Sequence, residues 1–316
     1  MRAYLLKRIG YFFLTLVLTS LMVFIIAQII PGDVCRVILG RSAGAGIMAQ
    51  CAEELGLNDP YHVRYIEWLS GFMTGNWGQS YSTGFEIYPL VMGRLGMSVM
   101  LAGVTMAIAI PLSLALGIIS GLNQGKLLDN LINFFILSVV GLPEFVTGIV
   151  LINWVGQKVE WIPPNSSIPL GTPFWEALPS LILPSAASML VLLAYISRLT
   201  RAGIIEELKK DYVRTALLKG LGRRTVILRH VLRNALMPAI TVIAISVGWL
   251  ISGLIVIENV FNYPGLGRLM VFAIDRRDLP VLQAAVMVTV VGYVASNLAA
   301  DILYAVLNPR IRIGGK

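Results

Sequence analysis

The sequence predicts an all-α integral membrane protein with six transmembrane helices. Hydrophobic residues make up 57% of the 316 residues and charged residues only 13%, against about 25% in soluble domains. The mean hydropathy is +0.78. Six stretches, each near the roughly 20 residues needed to cross a bilayer, carry at most one charged side chain. This composition excludes a soluble domain and a disordered chain, and no nucleic-acid partner is expected despite the net charge of +8.

The first predicted span, residues 10–30, follows three cations, Arg2, Lys7 and Arg8, as the apolar core of a signal peptide would. It is longer than a typical signal core, and no small-x-small cleavage site precedes Pro31, so we predict that it is retained. The other five predicted spans are residues 95–122, 131–155, 177–197, 234–257 and 279–300.

The positions of Lys and Arg predict that both termini are cytoplasmic. An even number of spans places both termini on one side, and cytoplasmic loops accumulate cations; in this orientation 17 of the 25 Lys and Arg residues lie in cytoplasmic segments. The predicted order is a cytoplasmic start and first span (1–30), an external segment (31–94), the five remaining spans (95–308) with a cytoplasmic loop at 198–238, and a cytoplasmic tail (309–316).

The external segment is predicted to form a small folded cap, with a loosely ordered surface loop as the alternative. Asp59 can cap a helix that has Pro60 at its first position. Apolar residues then recur near helical spacing at Val63, Ile66, Trp68, Leu69 and Phe72.

Both cysteines, Cys35 and Cys51, lie in this external segment. A disulfide closing a loop of about 15 residues would stabilise the segment by ~3 kcal/mol in an oxidising compartment. Two unpaired buried thiols are the alternative, because the sequence does not supply the geometry. A metal site is not expected, since no His or further Cys completes a ligand set.

Motifs that carry catalysis are absent from the sequence. It contains no phosphate-binding G-x-x-x-x-G-K-[ST], no H-E-x-x-H and no G-x-S-x-G. Gly265 and Gly267 lack the third glycine and the preceding strand of a dinucleotide site, and they are interpreted as a turn. We therefore predict a transport subunit rather than an enzyme, without catalytic residues, cofactor or metal of its own.

The cytoplasmic loop 198–238 is the most informative segment. Asp211 is a good N-cap and Gly220 a good C-terminal glycine for one short helix, and a second helix runs from about Arg224 until Pro238. Small residues in a charged loop permit close approach by another protein, and the cations favour an acidic cleft. The alternative is a cationic loop that contacts lipid headgroups.

This loop resembles the EAA coupling loop of ABC importer permeases in the run Tyr212-Val-Arg-Thr-Ala-x-x-Lys-Gly-Leu and its continuation Arg229-His-x-Leu-Arg-Asn-Ala-Leu-x-Pro238. More narrowly, the chain is similar to the peptide/opine/nickel uptake family, especially its B-type permease subunits. It departs from the general pattern because Arg214 stands where Glu begins that pattern, and because the closing proline comes at 238 instead of 233. Further motifs match in order: Ile30-Pro-Gly-Asp33, Leu55-Gly-Leu-Asn-Asp-Pro60, Gly75-Asn-Trp-Gly-x-Ser80, Glu258-Asn-Val-Phe-x-x-Pro-Gly-Leu-Gly-Arg268, Arg277-Asp-x-Pro-Val281 and Leu307-Asn-Pro-Arg310.

The resemblance implies a type I ABC importer fold in a bacterial inner membrane, surrounded by lipid. The implied partners are a homologous second permease, two cytoplasmic ATPase subunits that bind ATP and Mg, and an external solute-binding protein. Di- and oligopeptides are the implied substrates, with nickel, opines or glutathione as alternatives. An ion-coupled secondary transporter and a membrane anchor for a signalling assembly are alternatives from other classes. The implied ATPase-coupling residues are Tyr212, Arg214, Thr215, Ala216, Lys219, Gly220 and Leu221.

Glu144 follows Pro143 in the third predicted span, so an ionisable group and a kink coincide near mid-membrane, where a charge is costly unless it faces water or a partner. Glu144 is therefore interpreted either as a translocation-path residue that contacts a substrate amine or gates the pore, or as a structural group that bonds to the partner permease or to backbone freed by Pro143. Glu258 and Asp301 are predicted to be interfacial. Gly117-x-x-x-Gly121 predicts a close helix crossing, with lipid-facing glycines as the alternative.

Overall fold

The computed structural model describes residues 2–29, 34–40 and 43–307. This part of the chain folds into fifteen α-helices and two π-helical turns, with one isolated bridge between Gln79 and Glu86. Four of the described helices are long and apolar enough to cross a membrane, and the number rises to six if each of two bent helix pairs is one span. The prediction of an all-helical membrane protein is thus confirmed.

The first helix, α1 (Arg2–Ile29), is followed by three short helices, α2 (Val34–Leu39), α3 (Ala45–Glu54) and α4 (Tyr61–Thr74). Pro60 occupies the cap position of α4 and no side chain caps that helix, so Asp59 does not have the predicted role.

An aromatic ladder holds α4 against α1. Phe24 of α1 contacts Tyr65, and the contacts continue through Trp68 and Phe72 to Trp77, with ring centroids 4.9 to 6.3 Å apart. Such pairs contribute about 0.5–1.5 kcal/mol each beyond the area they bury. The segment after the first span therefore contains helices packed on the membrane domain.

The helix of the second span, α5 (Ile87–Leu122), begins eight residues before the predicted boundary at 95. Its first turns pack into a buried cluster that contains Ile87 and Val91 together with Leu266 and Leu269 of the later helix at 266–276. Burial against protein, and not only against lipid, extends this helix.

The third predicted span is not one continuous helix. It consists of α6 (Leu127–Val140) and α7 (Glu144–Leu151), the latter continued by a π-helical turn (Ile152–Gly156), and the two parts meet at 102°. Pro143 has no backbone N–H and its ring obstructs the preceding turn, so the helix cannot continue through this position. The predicted kink is a full break in the structure.

The fourth predicted span lies within α8 (Phe174–Leu208), which packs along α5. At the crossing, a Cβ added to Gly117 would lie 2.5 Å from Thr200 Cβ, and one added to Gly121 would lie 2.8 Å from Ile204 Cβ. The two glycines therefore let the backbones approach closely, which confirms the predicted crossing and identifies α8 as its partner.

After α8 the chain forms α9 (Asp211–Leu218), α10 (Arg223–Val226), a π-helical turn (Ile227–Val231) and α11 (Leu232–Ala235). Lys210 precedes α9 at the cap position and no side-chain cap bond forms, so the predicted Asp211 cap is wrong by one residue. Gly220 has a φ of +84°, the left-handed conformation expected of a C-terminal glycine.

The last part of the described chain consists of α12 (Met237–Gly253), α13 (Ile255–Val260), α14 (Leu266–Arg276) and α15 (Leu279–Leu307). α15 packs against α12, α14 and α1, which brings the first and last spans together. Arg8 and Asp301 form an ion pair of 3.0 Å between these two spans, and both side chains are partly exposed. The interfacial position of Asp301 stays a prediction.

Candidate functional site

The loop after α8 has a hydrophobic core of its own. Val213, Val226, Val231 and Ala235 are buried together against Ile204 of α8. A Cβ added to Gly203 would overlap the Ala235 backbone, so α8 and α11 touch at this glycine. The loop is a packed extension of α8, and this arrangement fixes the direction in which α9 points.

Apolar and cationic side chains are exposed at the C-terminal end of α9. Leu218 is 80% exposed, and Leu217 and Leu221 are also exposed. Arg214 and Lys219 are exposed beside them, as are Arg223 and Arg224 at the start of α10. Exposed leucines ringed by cations suit a protein partner that has an apolar cleft with an acidic rim.

The predicted coupling residues divide into two groups. Ala216 and Tyr212 pack against the inner cluster of the loop, and the Tyr212 hydroxyl donates to Glu207 Oε2 at 2.6 Å. Burial, together with this carboxylate, raises the pKa of Tyr212. The other five predicted residues, Arg214, Thr215, Lys219, Gly220 and Leu221, are exposed.

Leu217 and Leu218 were not predicted as surface residues of this loop. The signal was present in the helical register of α9, because Val213 and Ala216 fix the inner face and leave the two leucines opposite or beside it.

Glu144 is the first residue of α7, directly after the break in the third span. Its side chain is half-buried, and within the described ranges it makes no hydrogen bond or ion pair. The apolar side chains of Leu142, Phe145 and Ile149 around it are exposed in the isolated subunit. The carboxylate therefore lies at a bend in an apolar segment whose covering has to come from outside this chain.

An ion pair with a buried carboxylate, which the sequence did not predict, lies at the start of α6. Asp129 is 1% exposed and accepts from Arg201 of α8 through both carboxylate oxygens, each at 2.8 Å. Ser120 of α5 donates at 2.5 Å, the Asn133 amide at 2.6 Å and the Gly125 N–H at 2.9 Å. Five donors thus compensate the desolvation of this carboxylate.

The predicted interfacial position of Glu258 is wrong, because its side chain is 1% exposed. It accepts from Ser98 Oγ at 2.5 Å, from the Gly267 N–H at 2.7 Å and from the Arg268 N–H at 3.1 Å. Burial raises the pKa of Glu258 to about 7. The turn containing Gly265 closes directly over the carboxyl group, and a Cβ at Gly265 would overlap it.

Asp278 joins the segment before α5 to the start of α15. It is fully buried and accepts from Ser80 Oγ at 2.5 Å, Ser82 Oγ at 2.8 Å, the Ser82 N–H at 3.1 Å and the Tyr81 N–H at 3.3 Å. The motifs around Ser80 and Asp278, which are far apart in sequence, therefore form one structural unit.

The two cysteines form a disulfide in the structure. The Cα atoms of Cys35 and Cys51 are 5.9 Å apart, within the usual range for a disulfide, and both residues are buried. The bond links α2 to α3 within the segment that precedes α4.

Comparisons with known proteins extend over nearly the whole chain. Residues 113–313 match the family described as binding-protein-dependent transport system inner membrane component, and residues 1–102 match the model of the N-terminal part of such components. The probable peptide ABC transporter permease protein y4tP of Sinorhizobium fredii is 34% identical over 314 residues, which are 99% of this chain and 100% of the relative. The glutathione transport system permease proteins GsiC of Salmonella typhimurium and of Escherichia coli K12 are each 33% identical over 311 residues, 98% of both chains.

Proposed function

The chain belongs to the binding-protein-dependent transport system inner membrane components, the ABC transporter permeases of the bacterial inner membrane, and we propose that it forms half of the pore of a peptide importer. The proposed substrates are di- and oligopeptides. The names of the relatives support this class, since they refer to peptides and to glutathione, which is itself a short peptide.

The proposed complex contains a second, homologous permease, two cytoplasmic ATPase subunits and an external binding protein that delivers the substrate. Six spans with both termini inside, counting each bent helix pair as one span, put the α9 loop in the cytoplasm and the disulfide outside. The excess of cations in the segments assigned to the cytoplasm supports this orientation.

The observation that carries the proposal is the surface at the end of α9. Its exposed leucines and flanking cations lie on a loop that is folded against α8, so a partner bound there can move α8 as well as the loop. In the proposed cycle, ATP binding draws the two ATPases together. The docked loops follow, and the two permeases rock from an inward-open to an outward-open state.

Substitution of Leu218 tests the docking surface. Leu218→Asp places a charge at the most exposed large hydrophobic residue of α9, so we expect the complex to lose stimulation of ATP hydrolysis by the loaded binding protein. Leu218→Met keeps an apolar contact and serves as the matched control. Reconstituted complexes are compared for stimulated ATPase activity and for co-purified ATPase and second permease. Normal stimulation by an intact Leu218→Asp complex would show that the ATPases dock elsewhere.

Gly220 provides a second test of the coupling element. No atom lies within 4 Å of a Cβ added there, so substitution effects arise from the backbone or from a docked partner. A valine held in the left-handed region costs about 1–2 kcal/mol, whereas asparagine visits this region readily. We expect Gly220→Val to impair stimulation and Gly220→Asn to retain most of it. Equal stimulation of ATP hydrolysis in the two variants would show that the left-handed conformation of residue 220 does not matter for coupling.

We further propose that Glu144 lines the translocation path and contacts the ammonium group of a passing peptide. A half-buried carboxylate at the break in the third predicted span, with no hydrogen bond or ion pair to any described residue, supports this role. Glu144→Gln should reduce uptake of peptides with a free N-terminus and spare N-acetylated peptides, while Glu144→Asp retains the preference. Equal loss for both substrates, or loss of the co-purified second permease, would assign Glu144 to the assembly of the pore instead.

A further inference from the structure

The helix α6 is attached to the rest of the subunit at few points. Leu127, Leu131, Phe134 and Leu137 are each more than half exposed. Asp129 and Ile136 are the buried residues of this helix, and Ile136 packs against Leu193 and Ala194 of α8. Both buried contacts of α6 therefore involve the half of α8 that leads into the coupling loop.

The contact through Asp129 fixes the orientation of α6 relative to α8 as well as the distance between them. Arg201 donates from Nε and from a terminal nitrogen to the two oxygens of one carboxylate, a geometry that fixes both distance and orientation. Ser120 brings the end of α5 into the same site. Because Gly117 and Gly121 seat α5 tightly on α8, the ends of α5, α6 and α8 form one unit around Asp129.

The second half of the broken span is attached elsewhere. A Cβ added to Gly148 of α7 would lie 3.0 Å from Val260 Cγ1 and 3.2 Å from the Phe261 ring, at the end of α13. A Cβ added to Gly156 would lie 3.0 Å from Leu183, in the opposite half of α8. The halves before and after residues 141–143 are thus held by different parts of the molecule.

From this arrangement we infer that Asp129 and Arg201 are positioning residues that transmit movement of the coupling loop to α6, and through the break at 141–143 to Glu144. Displacement of the loop moves the end of α8 and the ion pair takes α6 with it, while α7 stays on α13 and on the opposite half of α8. The angle at the break then changes. This inference rests on the proposed transport function and extends it, because it names the connection between ATP-driven movement and the path.

The test is the number of peptides imported per ATP hydrolysed by the complete importer in proteoliposomes. Asp129→Asn removes the charge that Arg201 binds, so we expect loaded binding protein still to stimulate hydrolysis while import per ATP falls roughly fivefold or more. Arg201→Lys keeps the charge and loses the paired geometry, and it should give an intermediate ratio. The exchanged pair Asp129→Arg with Arg201→Asp should recover part of the coupling. Asp301→Asn, which breaks the partly exposed ion pair with Arg8, is the matched control and should leave the ratio unchanged.

An ion pair that only stabilises the fold would affect hydrolysis and import differently. Destabilisation alone would reduce hydrolysis and import in proportion, leaving import per ATP unchanged, and that outcome would overturn the inference. If the Asp129→Asn complex fails to assemble, Arg201→Lys decides, and a wild-type ratio in that variant refutes the connection. Absence of ATP-dependent import by the wild-type complex would refute the proposed function itself and is distinguishable from both.

Discussion

Replacement of Gly117 by alanine tests the helix crossing on which the membrane domain is built. The added Cβ would lie 2.5 Å from Thr200 Cβ and 2.7 Å from the Ser197 carbonyl oxygen, whereas non-bonded carbon atoms rest at about 3.5–4.0 Å. Since one obstacle is backbone, rotation of a side chain cannot relieve the overlap. α5 and α8 have to separate by about 1 Å, and overpacking of this kind costs about 1–3 kcal/mol.

Gly103→Ala is the matched control for this substitution. Gly103 lies inside the same helix, and no atom is within 4 Å of a Cβ added there. Both variants gain about 0.5–1 kcal/mol from replacing glycine by alanine in a helix, so this contribution cancels in the comparison. The difference between the variants isolates the cost of the overlap, about 1–3 kcal/mol.

The assay is thermal unfolding of the purified chain in detergent, followed by near-UV circular dichroism. With a shift of about 2–4 °C per kcal/mol, Gly117→Ala should melt roughly 2–12 °C below Gly103→Ala. Gly121→Ala should fall in between, because its closest contacts at 2.8 and 2.9 Å are side-chain atoms of Ile204. If Gly117→Ala melts at or above Gly103→Ala, α5 and α8 do not cross at this glycine.

Three further predictions concern the disulfide, the orientation in the membrane and the buried Glu258. Mass mapping without reductant should link the peptides of Cys35 and Cys51, and Cys51→Ser should lower stability by about 3 kcal/mol; two alkylatable thiols would contradict the bond. A membrane-impermeant thiol reagent should label Glu86→Cys and spare Thr225→Cys in intact cells, and the reverse pattern would invert the topology. Burial raises the pKa of Glu258 to about 7, whereas in the unfolded chain this carboxyl group loses its proton near pH 4.3. Between these values the folded chain binds the extra proton, so the free energy of unfolding should fall as the pH rises from about 4.5 to 7, by at most about 1.4 kcal/mol per pH unit. Melting temperatures of wild type and Glu258→Gln at pH 5 and 7 measure this, and equal pH dependence in both would refute it.

The spans could be predicted from the sequence because hydropathy reports directly on contact with lipid. The helix ends could not, since Ile87 and Leu208 lie in helical turns that pack on protein beyond the apolar stretch. Pro143 predicted a kink in the third predicted span. Whether it produces a kink or a 102° break depends on the packing of α7 on α13, which no local pattern contains.

The buried carboxylates and their partners could not be predicted from the sequence. Asp129 and Arg201 lie 72 residues apart and just outside two predicted spans, so each had the appearance of an ordinary loop charge. Glu258 was assigned to the interface for the same reason. Its burial follows from Gly265 and Gly267, which let a turn close over the carboxyl group. In each case the decisive contact is made by tertiary structure.

The conformation of the loop after α8 was predicted more completely than the rest of the candidate site. Gly220 has the expected left-handed backbone, and the two helices lie within a residue or so of their predicted starts. Ala216 shows what the motif alone does not reveal. It packs against the inner cluster of the loop, so its small size serves the packing of the loop as well as any partner.

The bonds of Asp278 have a consequence for biogenesis. The disulfide between α2 and α3 spans only 16 residues and can form soon after these helices emerge, but Ser80 and Asp278 are 198 residues apart. The contact of α1 with α15 is also made across almost the whole chain. Since chains are synthesised from the N-terminus, the contact of α1 and the bond of Ser80 with Asp278 cannot form until α15 has been synthesised. Insertion of α15 is therefore the event that completes the fold, and a stalled or truncated chain has the segment before α5 without the Asp278 carboxylate that binds it.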